Sequence, residues 1–282
     1  MTLTVNQKEM VYWINERESI RKKKELGELA PWSDNPVMQV TYFCNVNRED
    51  DKVTKWIRDN WLYNGDEAYD VAMTVARIFN SPETLRERNQ PTMENLHRWC
   101  DELLPKMNSR KDRKLKVWGG AYMITTGGKK IDKGLFTSDA IKKLAISPNL
   151  THNVSSLAEA HSKLLSVDGI GEFLAGQVVA DLKNTIGHKL SKSKDWWTFS
   201  VPGPGSLRGL SWFFDENVTR SKYQVKIREA FEILEYELPE EILDILCFQN
   251  LQNCFCEYDK FMKATKGKGR SKRNYNGKGE NQ

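Results

Sequence analysis

Two glycines one residue apart, Gly169 and Gly171, separate an amphipathic run ending near Leu165 from a second run carrying Phe173, Leu174, Val178, Val179 and Leu182. Glycine lets a chain turn tightly and leaves backbone N–H groups free at the start of the following helix. Those donors, aligned with the helix dipole, suit a phosphate oxygen. The segment Val167-Asp168-Gly169-Ile170-Gly171 therefore reads as the turn of a helix-hairpin-helix, with Ile170 plugging into the helix pair. Val167, Gly169, Ile170 and Gly171 are the candidates for contact with a nucleic-acid backbone, a contact that positions without reading sequence. A Gly-rich turn between any two antiparallel helices is the competing reading. Other chemistries lack their residues. The five cysteines (44, 100, 247, 254 and 256) form no C-x-x-C pair, and His97, His152, His161 and His188 stand at no metal-ligand spacing. No G-x-x-x-x-G-K-[ST] phosphate loop is present.

The formal charge of +5 is unevenly placed. From Lys263 onward there are seven Lys/Arg against one acid, Glu280, so the excess lies in a Gly/Lys/Arg/Asn segment with almost no apolar residue. Residues 263–282 read as a flexible basic tail, either phosphate-binding or solubilising. The chain as a whole is 39% hydrophobic with nine tryptophans and nine tyrosines, ample for a core. The odd cysteine number fits a reducing cytoplasm. The N-terminus lacks a signal-like region, and no apolar run approaches the roughly 20 residues of a membrane span.

The elements that must position these groups are helical. Periodicity predicts helices over 7–29, 50–62, 66–80, 82–89 and 92–104, then 137–145, 154–165, 172–186, 206–214, 219–236 and 239–262. Residues 31–50 carry two prolines and, from Val37 to Phe43, alternating apolar residues, and are expected to be extended or irregular. The basic, glycine-broken stretch 105–135 admits either a short hairpin or a helix start. The fold class is mainly α, a helix-hairpin-helix DNA-glycosylase-like helical fold with an N-terminal helical extension. One composite domain is expected over 1–262, with an N-terminal helical region 1–135 and a helix-hairpin-helix core 136–262.

Four separated segments resemble one family: 16–57, 164–182 (LLSVDGIGEFLAGQVVADL), 201–210 (VPGPGSLRGL) and 248–261 (FQNLQNCFCEYDKF). The chain resembles the phage DNA base-hypermodification family, the alpha-glutamyl/putrescinyl-thymine pyrophosphorylases or amino acid:DNA transferases. It is also similar to the helical domain associated with 5-hydroxymethyluracil DNA kinases. The resemblance implies a transferase in the host cell cytoplasm. Its partners would be double-stranded DNA carrying modified thymine and an amino acid or polyamine, whose amine replaces the pyrophosphate of a 5-pyrophosphoryloxymethyl-deoxyuridine.

That chemistry assigns roles. Departing pyrophosphate needs cationic forks, and Arg17, Arg48 and Arg208 fall in the matching segments. The turn Gly203-Pro204-Gly205-Ser206, before a predicted helix, could offer N–H groups and a hydroxyl to a phosphate. The attacking amine must lose a proton to a carboxylate, for which Asp181, Glu257 and Asp259 are candidates, with Lys260 on the face of Glu257. Trp32, Phe43 and Tyr122 could stack on an extruded base, and Asn45 and Asn253 could bond its edge. A divalent metal ion is compatible with the reaction, though no ligand set for one is visible. Each of these residues has an ordinary structural alternative as core packing or surface ion pair. Two rivals remain: a base-excising glycosylase, disfavoured because WWTFSVPGPGSLRGL holds no acid where such enzymes carry one, and a non-catalytic DNA-binding subunit of a base-modification complex.

Overall fold

The computed structural model describes residues 2–120, 124–148 and 150–268. Its helices, in chain order, are α1 Val5–Glu25, α2 Pro36–Val40, α3 Lys52–Asn60, α4 Tyr69–Phe79, α5 Pro82–Arg86, α6 Leu96–Asp101 and α7 Leu103–Asp112. There follow α8 Lys133–Ile146, α9 Leu157–Leu165, α10 Glu172–Lys183, α11 Pro204–Phe214, α12 Tyr223–Leu234, α13 Glu240–Leu243 and α14 Phe248–Thr265. Among the described residues there is no β-strand, and no helix is long and apolar enough to cross a membrane.

Cα proximity divides the chain into two units, one from Met1–Asp51 with Ser200–Gln282 and one from Lys52–Phe199. The breaks therefore fall at 51/52 and 199/200, whereas the sequence pattern suggests a boundary at 135/136. In the first unit α14 is buried on nearly all sides. One of its flanks takes α11 at a distance only glycine allows: a Cβ on Gly205 would meet Cys256, and one on Gly209 would overlap the backbone carbonyl of Phe255. Helix α1 starts in a capping box between Thr4 and Gln7. Its residues Met10, Trp13, Ile14 and Ile20 enter the same core as Phe43, Phe213, Tyr223, Phe255 and Tyr258.

In the second unit every residue of α4 is buried, and α10, α8 and α5 pack against it. An arginine at its far end, Arg77, has one solution in such a place. Its Nε and Nη2 donate to the two carboxylate oxygens of Asp181 at 2.5 and 2.7 Å.

Three local expectations differ from what is found. Asn35 caps a short helix at Pro36, with its side chain accepting from the amides of Val37 and Met38, inside the stretch expected to be extended. Helix α7 occupies the start of the region left open at 105–135. The predicted helix 239–262 is two, because the chain breaks between Asp244 and Cys247 before α14 begins.

Candidate functional site

Helix α14 places Asn253, Glu257 and Lys260 at i, i+4 and i+7, on one face. Lys260 Nζ donates to Glu257 Oε2 at 2.6 Å and to the Tyr42 carbonyl at 3.1 Å. The same Glu257 oxygen accepts the backbone N–H of Cys44 at 3.1 Å. Residues 42–45 are tied from the other side by α1. Arg17 Nε donates to the carbonyls of Phe43 and Cys44 at 3.3 and 3.0 Å, and Arg17 Nη2 donates to the Asn45 side chain. Asn45 then donates to the Asp50 carbonyl at 2.8 Å. The remaining terminal nitrogen of Arg17, Nη1, is buried and has no acceptor among the described residues, and the whole residue is only 5% exposed. Leaving a buried guanidinium N–H without an acceptor is costly, so this atom marks where an anionic or carbonyl oxygen is wanted. One turn earlier on α1, Trp13 Nε1 is likewise buried and without an acceptor. Arg17, Asn45, Glu257 and Lys260 thus come together. Asn253 is half-buried on the same face of α14.

Asp259 points elsewhere. Its carboxylate accepts from Arg208 Nε at 2.8 Å, Trp212 Nε1 at 3.2 Å and Lys263 Nζ at 2.8 Å. Arg208, Trp212, Asp259 and Lys263 line an open pocket of about 470 Å³ together with Asp215 and Glu216. Arg208 and Asp259 therefore form a second group on α11 and α14.

The other candidates of this unit are placed differently. Arg48 is buried, its Nη1 donating to Glu49 at 2.9 Å and its amide to Asn250 at 3.4 Å. Gly205 lies inside α11 rather than in a turn, against Cys256. The Ser206 hydroxyl is committed to the Gly203 backbone, at 3.0 Å to both N–H and carbonyl, which caps α11. Phe43 is a core residue, edge-on to Trp13 and Phe261, with no face free for a base. Trp32 is half-buried, its indole N–H on the Glu28 carbonyl at 2.7 Å and the Lys24 ammonium 4.3 Å from its ring centroid. Tyr122 lies outside the described residues.

Lys24 is a member of this neighbourhood that sequence reasoning misses. Burial, and secondarily the charge of Arg17, lowers its pKa to about 8. The only signal for it is its spacing, two helical turns after Arg17 on α1. Burial and then the charge of Glu257 push the Cys256 thiol up to about 11, which disfavours the thiolate.

In the second unit α9 and α10 are joined by the expected five-residue turn. Gly169 has φ +93°, and a Cβ there would also press on the Phe136 ring at 2.8 Å. Ile170 is buried, while Gly171 is exposed as the N-cap of α10. Val167 accepts the Ile170 N–H at 3.0 Å, closing the turn, and Asp168 pairs with Lys129 at 2.9 Å. Asp181, at 0% exposure, is held by Arg77. With no contact to solvent it has no route for collecting a proton from an incoming amine, and the pair reads as structural. Asp195, the acid immediately before WWTFSVPGPGSLRGL, is likewise missed by sequence reasoning. Both its oxygens accept N–H groups at the start of α9, from Leu157 at 2.9 Å and Ala158 at 3.1 Å, so it is a helix cap. Among the described residues no three His, Cys, Asp or Glu side chains gather as a metal site.

An all-helical chain with a buried arginine, lysine and carboxylate cluster in one unit and a glycine-turn helix pair in the other defines the class. Residues 4–271 match the family described as 5-hmdU DNA kinase, helical domain, and the chain belongs to that family. The resemblance to the helical domain associated with 5-hydroxymethyluracil DNA kinases thus holds. The chain is 25% identical over 232 residues to the 5-hmdU DNA kinase of Bacillus phage SP10, an alignment covering 73% of this chain and 36% of that protein. It therefore spans little more than a third of the curated relative it matches. No solved structure matches it.

Proposed function

We propose that this chain is a DNA thymine-hypermodification transferase, in which an amine of an amino acid or polyamine displaces pyrophosphate from 5-pyrophosphoryloxymethyl-deoxyuridine in DNA. The observation that carries the reading is Arg17, buried, held by residues 43–45, and left with one terminal nitrogen, Nη1, that has no acceptor among the described residues. Membership of a helical-domain family named for a 5-hmdU DNA kinase supports the choice of base and polymer. The new bond joins the amine nitrogen to the exocyclic methylene as the methylene–oxygen bond breaks; the electron pair leaves on pyrophosphate and the amine proton passes to a base.

Arg17 and Lys24 meet the charge that gathers on the departing oxygens, the kind of preorganised donor that contributes most to such steps. Glu257, gripped by Lys260 and the Cys44 amide, takes the proton. Asn253 borders the site as a donor to a base edge, while Asn45 holds Arg17 in place. The pocket beside Asp259 carries three acids and two bases in its lining, a mixed charge that suits a zwitterionic or cationic amine. The turn at Gly169 to Gly171 holds the DNA backbone in a helix-hairpin-helix manner.

The test is incubation of the full chain with duplex DNA carrying pyrophosphorylated hydroxymethyluracil and an amino acid and polyamine mixture. Nucleosides are then read by mass spectrometry and pyrophosphate by enzymatic release assay. An aminomethyl adduct formed in step with pyrophosphate supports the assignment. An abasic site instead of an adduct, or neither product in the presence of tight DNA binding, removes it.

A further inference from the structure

A separate cavity of about 190 Å³ lies in the second unit, between α5 and α7, and takes no part in the transfer proposed above. Its lining includes four cationic side chains, Arg88, Lys106, Arg110 and Arg113, against one acid, Glu87. Arg88 is its unusual member. Its side chain is 7% exposed; Nη2 donates to the Trp99 carbonyl at 2.8 Å, and the guanidinium carbon sits 3.7 Å from the Trp99 ring centroid. Its Nε and Nη1 are buried and have no acceptor among the described residues. Burial without a carboxylate in contact lowers its pKa to about 10, the more distant charge of Glu102 opposing the fall. Two orphaned nitrogens on a buried cation are costly unless something accepts their N–H bonds.

The other bases are arranged to help. Glu87 accepts from Arg110 and, at 3.2 Å, from Arg113, so one carboxylate holds both guanidinium groups at the cavity wall. Arg110 is further fixed by the Lys116 carbonyl, to which Nη2 and Nε donate at 2.8 and 3.1 Å. Lys106 is paired outside the cavity with Glu102 at 2.8 Å. The volume is below the roughly 300–1,000 Å³ of sites for drug-sized ligands. It suits a small tetrahedral oxyanion, the kind of group that guanidinium side chains lining one cavity bind well.

We propose that this cavity is a binding site for a phosphoryl oxyanion, with Arg88 supplying the two unpaired donors and Arg110, Arg113 and Lys106 the surrounding charge. The phosphoryl group belongs either to a free phosphate or diphosphate or to a nucleic-acid backbone, and the two sources are separable by competition.

The experiment is calorimetric titration of the full chain at low ionic strength with sodium phosphate and with sodium pyrophosphate, sodium chloride serving as the control. A binding phase absent from the chloride titration is expected. Arg113→Gln and Lys106→Gln should each weaken it about threefold or more, as loss of one partly exposed charge contact does. Arg88→Gln should weaken it about tenfold or more. Because Arg88→Gln can also disturb folding, the deciding variant is Glu87→Gln, which frees Arg110 and Arg113 and should tighten the phase while leaving the Arg17 cluster of the other unit untouched. Displacement of the bound anion by a short unmodified duplex assigns the group to nucleic acid; retention assigns it to a free anion. The proposal is overturned if phosphate and chloride titrate alike, or if Glu87→Gln and Arg113→Gln both titrate like the native chain.

Discussion

The sequence pattern puts Gly205 in a phosphate-binding turn, whereas its position inside α11 makes it a packing contact, and the two roles predict opposite outcomes for one substitution. In Gly205→Ala the new Cβ meets Cys256 Sγ, with the next nearest atoms, Cys256 Cβ and Cα, at 3.4 and 3.5 Å. Only the sulfur is too close. Overpacking of this kind costs about 1–3 kcal/mol, and the helix-propensity gain of Ala over Gly returns at most about 1 kcal/mol. A net loss of about 1–2 kcal/mol is expected, or a few degrees in Tm. Cys256→Ala removes the sulfur and itself costs about 1 kcal/mol of buried contact. In the double variant the alanine Cβ then rests at ordinary van der Waals distance, so the two losses do not add. A coupling of about 1–2 kcal/mol in favour of the double variant should appear in urea unfolding followed by far-UV circular dichroism. Additivity within about 0.5 kcal/mol would refute the packing account. A Gly205→Ala chain with native stability but no pyrophosphate release would restore the phosphate-turn role.

Other substitutions address the cluster and the ion pair. Glu257→Gln keeps hydrogen-bonding atoms but cannot take a proton, so adduct formation should fall by about 10²–10⁴-fold with substrate binding retained; an unchanged single-turnover rate would eliminate Glu257 as the base. Lys24 binds its proton more weakly in the folded chain than in the unfolded one, with a folded pKa of about 8. Its penalty is thus fully present below pH 8 and fades as pH rises toward the ordinary lysine range, so stability should climb over that interval. Lys24→Met should abolish that part of the climb, and identical pH–Tm curves for the two chains would contradict this. Asp181→Leu strands Arg77 and should cost about 3–5 kcal/mol. The double variant with Arg77→Met should recover most of the loss, and a thermal melt no better than the single variant's would show that the pair is not the structural unit described.

Much of this helical layout is legible in the sequence because apolar periodicity and Pro or Gly punctuation are local signals. The start of α5 at Pro82 and the turn at Gly169 to Gly171 follow directly from them. Helix α2 is not legible, since five residues carry too little periodicity and its stability rests on the Asn35 cap. The cluster is half legible. Glu257 and Lys260 declare themselves by spacing, but their juxtaposition with Arg17 depends on α1 and α14 clamping residues 42–45, a long-range event with no local trace. Asp181 and Asp195 show the converse: acidic residues near a suggestive motif, each already engaged, one by Arg77 and one by the amides of α9. Arg88 gives no sequence signal, because a missing acceptor is visible only once every neighbour is in place.

The assembly of the first unit from both ends of the chain has a consequence for synthesis. Helix α1 is synthesised well before α11 and α14, the helices that pack against it. In the interval the intervening unit can condense by itself, while an apolar stripe on α1 stays uncovered and open to wrong association. Joining the two ends then fastens one very long loop, whose entropic cost grows only slowly with its length.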